Sequence, residues 1–213
     1  MIQLLIQHQY LLFIFIAFAL VFSLTFHEYG HGKVASMIGD DTAQRAGRLT
    51  LNPLPHIDPV GLLMVLLIGI GYARPVPTDP RKYNTRWGTL LVAAAGPGMN
   101  LLLAFVVINL YGIGLKLGIG FFETWAAGFF FTNLALINML LMLFNLLPVG
   151  PLDGSYIFPY ALPPHLAQKY RFYNQRFGAY ALLVLIALHF LGVPVFETIW
   201  KIGNFVLGFI RIV

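Results

Sequence analysis

The chain has 213 residues, of which 59% are hydrophobic and only 10% charged, with a mean hydropathy of +0.79 and a net charge of +5. Soluble domains carry about 25% charged residues, so this composition excludes a soluble globular protein and indicates a polytopic membrane protein of one domain. Cysteine is absent, which excludes disulfides and thiolate ligands and leaves His, Asp and Glu to hold any metal. The positive charge requires no nucleic acid, because basic residues flanking membrane spans on one side account for it.

Residues 1–38 read as one long helix stopped by Gly39-Asp40-Asp41. The N-terminus lacks the basic region of a secretory signal, and cleavage there would cut the helix from the motif that follows. His8 and Tyr10 suit the membrane interface. From Tyr10 to Phe26 no residue is charged, and the run ends in Phe26-His27-Glu28-Tyr29-Gly30-His31, a His-Glu-x-x-His pattern. On a helix, His27 and His31 share a face and can point at one metal ion. Glu28 lies beside that face, within reach of a metal-bound water as general base. The bland alternative is two structural histidines and a stray Glu. Position weighs against it: an ionisable residue inside an apolar span costs about 2.5–3.5 kcal/mol at the bilayer centre.

Gly47-Arg48-Leu49-Thr50-Leu51 alternates as a short strand would. Three prolines keep the stretch Asn52 to Gly61 from forming a regular helix. Leu62 to Gly71 is apolar but too short to span, which suggests a re-entrant segment forming a wall of the active site. Residues 72–77 read as extended chain, and 79–87 as an interfacial stretch with Arg81, Lys82, Arg86 and Trp87. The second span runs from Gly88 to about Tyr111. Its small segment Ala93 to Asn100 is a helix-packing seam, in the sharper version against the metal helix. Gly112 to Gly120 reads as a loop and Phe121 to Leu147 as the third span, which breaks at Pro148-Val149-Gly150-Pro151-Leu152-Asp153-Gly154. After a polar and aromatic stretch, Phe177 to Leu191 and Pro194 to Val213 are a fourth and a weaker fifth apolar segment. The expected fold is therefore an all-α polytopic membrane protein of about five membrane helices, with short extended segments and a re-entrant stretch. Residues 1–213 form a single membrane-embedded domain, with a core at about 10–160 and C-terminal helices at 177–213.

Ten of the thirteen basic residues fall in the 33–86 and 148–176 regions, and only Lys116 lies between spans two and three. If short loops alternate sides, those ten share the cytoplasmic face, and the metal motif and Asp153 sit toward it. A catalytic zinc site usually takes three protein ligands. Asp153 is the best third ligand by position, although Pro-x-Asp-Gly is equally a good sequence for an ordinary turn.

His27-Glu28-x-x-His31 is followed about 120 residues on by Asn145-x-x-Pro148-x-x-Pro151-Leu152-Asp153-Gly154. Between them come Asn52-Pro53-x-x-His56-x-Asp58-Pro59-x-Gly61 and Ala95-Gly96-Pro97-x-x-Asn100. In this order the four segments resemble the site-2 protease family of intramembrane zinc metalloproteases. The resemblance covers roughly residues 20–160. It implies one zinc ion per chain held by His27, His31 and Asp153, with Glu28 as the base. It implies a substrate that is a transmembrane segment of another protein, in the bilayer of a prokaryotic cell membrane. It suggests that Asn145 holds the substrate strand or the oxyanion. No loop has room for the PDZ or CBS domains that many relatives carry.

His56 and Asp58 have two readings, as groups orienting a ligand histidine or as parts of the proline-rich turn. The extended segments at 47–51 and 72–77 pair either with an unwound substrate strand or with each other. One rival is a different membrane zinc protease whose third ligand is a Glu on a later helix, but the later glutamates, Glu123 and Glu197, sit in no motif; a rival from another class is a metal transporter or silent scaffold that retained His27 and His31. Paired broken helices or inverted repeats, expected of a transporter, are not evident.

Overall fold

The computed structural model describes residues 2–68 and 71–212. The chain divides into two compact units, residues 1–88 and 89–213.

In the first unit the expected single N-terminal helix is broken. A short α1 (Ile2–Ile6) is followed by α2 (Tyr10–Met37). The break falls at His8, whose φ of 57° is left-handed and whose ring Nδ1 meets the Tyr10 hydroxyl at 2.8 Å. The polar Gln7-His8-Gln9 run offers no apolar face to carry the helix through. At about 1.5 Å per residue, the 28 residues of α2 exceed the thickness of a bilayer core.

Past Gly39 (φ 102°) the chain makes α3 (Thr42–Arg45). Residues 47–51 form no strand, contrary to their alternation. Here Thr50 Oγ1 accepts from Asn52 N at 3.1 Å and Asn52 Oδ1 accepts from Leu54 N at 3.1 Å. These local bonds give the backbone a turn in place of a ladder. Helix α4 (Pro59–Ile68) covers most of the stretch expected to be re-entrant; Gly69 and Ile70 lie outside the described residues. Asp58 precedes α4, its Oδ1 accepting from Val60 N and Gly61 N at 2.9 and 2.8 Å, with Pro59 in the first turn. The chain returns to where α4 began: a Cβ on Gly61 would lie 2.0 Å from Tyr72 O, so only glycine admits the approach. Residues 72–77 are extended as expected, but without a ladder; among the described residues there is no strand.

In the second unit α5 (Gly88–Lys116) runs beyond its expected end. Gly112 and Gly114 are helical, because Gly114 leaves room for the Phe122 ring, which an added Cβ would meet at 2.2 Å. After α6 (Gly120–Glu123), Thr124 caps α7 (Trp125–Asn145), accepting from Ala127 N at 3.2 Å. Asn100 of α5 donates to Asn138 of α7 at 2.9 Å, both fully buried, the kind of polar bond that fixes helix pairs in lipid. After α8 (Gly154–Ile157), α9 (Pro164–Phe190) begins well before the expected Phe177. Its early turns are polar and exposed, hiding the helix from a hydropathy reading. Finally α10 (Val195–Ile210) packs on α7 at Gly203, beside Leu140 and Met139. Asn109 of α5 ties down its end, donating to Ile210 O at 2.8 Å and accepting from Ile212 N at 2.7 Å.

Three helices among the described residues are long and apolar enough to cross a membrane: α2, α5 and α7. Helices α9 and α10 qualify only together, as a pair bent by 91°. The all-α membrane architecture stands; of the about five expected membrane helices, three and one bent pair are long and apolar enough to cross among the described residues.

Candidate metal centre and base

His27 and His31 lie one turn apart near the end of α2. Their Nε2 atoms are 3.1 Å apart and their rings stand nearly perpendicular, at 83°. Two zinc–imidazole bonds of about 2.0–2.1 Å meeting near the tetrahedral angle would put the nitrogens about 3.3 Å apart. The pair therefore fits a zinc ion on the donor atoms of this helix alone. Both His27 and Glu28 are buried.

Glu28 is oriented by an element far along the chain. Its Oε2 accepts from Val76 N at 2.8 Å. The segment that supplies this N–H is itself fixed: Arg74 N donates to His56 O at 2.8 Å, and Arg74 O accepts from Arg48 Nη2 at 2.6 Å. Arg48 is buried. Burial and the nearby Arg74 charge hold its guanidinium below the ordinary value, while Glu28 acts in the opposite direction. Arg48 and Val76 were missed by sequence reasoning. A buried arginine in a short loop gives a weak signal, and a backbone donor gives none.

His56 is buried, with Nε2 2.9 Å from Thr50 O, and Asp58 caps α4, so both side chains have partners within the turn. Along α2, Phe13, Phe18, Phe22 and Phe26 join Leu51 and Pro53 to line an apolar cavity of about 450 Å³.

Asp153 and Asn145 belong to the second unit. Asn145 closes α7, its amide donating to Leu141 O at 3.0 Å in its own helix. Between α7 and α8 the loop turns at Gly150 (φ 63°) and runs to Asp153, which is half-buried. Gly154 then lies on the end of α7, where a Cβ would stand 2.2 Å from Leu146 O. Glycine is thus required at both positions, at Gly150 by conformation and at Gly154 by close approach.

The model of Peptidase family M50 matches residues 15–124 and 119–192. The chain belongs to Peptidase family M50. This M50 peptidase is an integral membrane protein, and the resemblance carried by its four sequence segments is borne out. It is 40% identical over 158 residues to YwhC of Bacillus subtilis, whose name assigns it provisionally to the zinc metalloproteases; the match covers 73% of this chain and 72% of YwhC. Rip2 of Mycolicibacterium smegmatis, similarly named, is 34% identical over 166 residues, covering 72% of this chain and 58% of Rip2. Rip2 of Mycobacterium tuberculosis is 32% identical over 149 residues, covering 68% of this chain and 54% of that protein. No solved structure matches this M50 chain.

Proposed function

We propose that this M50 peptidase is an intramembrane zinc metalloprotease that hydrolyses peptide bonds within or next to the transmembrane segments of other proteins. The observation that carries the reading is the paired His27 and His31 Nε2 atoms with a buried, oriented Glu28, at the end of a helix that crosses a membrane. His27, His31 and Asp153 hold one zinc ion per chain; Asp153 enters on the motif it shares with the site-2 proteases. Residues 1–213 act as a single protease domain with its core at about 10–160, and 177–213 as its C-terminal helices.

Zinc, when bound, supplies Lewis acidity that eases deprotonation of water near neutral pH and polarises a carbonyl. With Oε2 held by Val76 N, Glu28 keeps Oε1 to take the proton of the attacking water and return it to the leaving amine. Asn145 spends one amide proton on Leu141 O and keeps the other for the oxyanion. His56 and Asp58 act through the turn that carries Arg74. A substrate helix has its peptide groups bonded internally, so it must unwind before attack. The apolar cavity along α2 suits the side chains of such a segment. The basic residues at 33–86 and 148–176 argue for a site toward the cytoplasmic side of a prokaryotic cell membrane.

Co-expression with candidate single-span proteins, followed by sequencing of the cut ends, tests the reading. Cuts within or near the membrane segment are expected, close to helix-destabilising residues. Cuts confined to folded soluble regions would contradict it.

A further inference from the structure

Helix α9 grips the loop that carries Asp153. Tyr170 Oη donates to Pro148 O at 3.0 Å. Asn174 makes two bonds to a single residue: its Oδ1 accepts from Gly150 N at 3.1 Å, and its Nδ2 donates to Gly150 O at 3.2 Å. Gly178 lets the two backbones touch, since a Cβ there would stand 2.8 Å from Gly150 Cα. Tyr170, Asn174 and Gly178 are spaced four apart and fall in one line along the helix. The residues around them, Arg171, Phe172, Tyr173, Gln175 and Arg176, are exposed, so this line is where the early turns of α9 are engaged.

Gly150 sits in the left-handed region and has no ladder or helix to satisfy its N–H and C=O. The primary amide of Asn174 offers a donor and an acceptor side by side and meets both. Asp153 follows three residues later. It is bracketed by Gly150, fixed to α9, and by Gly154, fixed against the end of α7. A ligand on a loop ordered beforehand binds metal without the entropy cost of ordering it at that moment.

We infer that Asn174, supported by Tyr170 and Gly178, is a positioning residue for the metal-ligating loop, setting where the chain delivers Asp153. The inference rests on the reading of Asp153 as a zinc ligand. It gives α9, which carries none of the motifs, a part in metal affinity.

The test measures zinc affinity by chelator competition, and thermal unfolding of the zinc-free protein, on the purified full chain. Asn174→Leu keeps the side-chain volume and removes both bonds. It is expected to bind zinc roughly tenfold more weakly, the lower end of the usual 10–100-fold effect of supporting groups, alongside the lower zinc-free unfolding temperature that the unpaired Gly150 N–H and C=O bring. Tyr170→Phe removes one bond from a half-buried hydroxyl and should weaken zinc about two- to threefold. Asp153→Ala should lose most of its zinc. Full zinc in Asp153→Ala would overturn the ligand reading and the inference with it. Zinc lost in Asp153→Ala but held at wild-type affinity by Asn174→Leu would overturn the inference alone. So would a drop in the unfolding temperature of Asn174→Leu with no change in zinc affinity, the mark of a purely structural bond. If Asn174→Leu does not fold, wild-type affinity in Tyr170→Phe overturns the inference.

Discussion

At the scale of residues, the closeness of the His27 and His31 nitrogens demands something between them. Without a metal, one ring must donate to the other at 3.1 Å; with zinc, both lone pairs are used. The purified chain is therefore expected to carry about one zinc, and His27→Ala to lose most of it, as read by elemental analysis. Full zinc in that variant would contradict the assignment. Glycine gives a second residue-scale contrast. Gly154→Ala would drive a methyl group into Leu146 O and Leu147 O, backbone atoms that cannot swing away; a loss of about 1–3 kcal/mol is expected, the range for overpacking. Gly208→Ala, in α10 with nothing within 4 Å, should instead gain up to about 1 kcal/mol from helix propensity. Equal effects on thermal unfolding would contradict the packing described. At this scale the histidine pair was legible because helical periodicity alone aligns positions four apart. Asn174 was not, because its partner is the backbone of a loop 24 residues away.

Among the elements, the turn after α2 is joined to residues 79–84 through Asp40. This buried carboxylate accepts from Thr42 N at 3.0 Å, from Asp79 N at 2.7 Å and from the Thr42 hydroxyl, with Lys82 Nζ at 3.9 Å. Burial pushes its pKa up, but the Thr42 and Asp79 donors and Lys82 outweigh it, leaving Asp40 below the ordinary 3.8. A depressed folded-state pKa gives stability that is complete above the unfolded value and is lost as pH falls through the folded one. Asp79, lowered to about 2 mainly by its bonds to Arg81, has the same sign, but it is exposed and screened. Asp40→Asn is thus expected to cost about 1–3 kcal/mol at neutral pH and to flatten the loss of stability as pH falls below the ordinary 3.8. An unfolding temperature with the same acid limb as wild type would contradict this. The spans were legible from uncharged apolar runs, whose burial in lipid leaves the chain little choice. The strand at 47–51 was misread because Thr50 and Asn52 supply side-chain bonds that alternation does not register. The start of α9 was hidden because an exposed polar helix has no apolar period, and the loop at 112–120 because Gly114 serves the packing of Phe122.

For the whole molecule, the distribution of basic residues makes a topological statement. A cysteine replacing Asp41 should be labelled from the cytoplasmic side, and one replacing Lys116 from outside; the reverse pattern would overturn the orientation proposed for the site. In the proposed mechanism the chemistry turns on Glu28 as the base, a side chain held by Val76 N at 2.8 Å. The most direct measurement compares cleavage of one transmembrane substrate by the wild type and by Glu28→Gln, with a zinc assay on both. The variant keeps the shape of the side chain and loses its basicity, so it should fold and bind zinc as the wild type does. Its cleavage should fall by roughly 10²–10⁴-fold, the usual contribution of a general base. Undiminished cleavage by zinc-loaded Glu28→Gln would contradict the account.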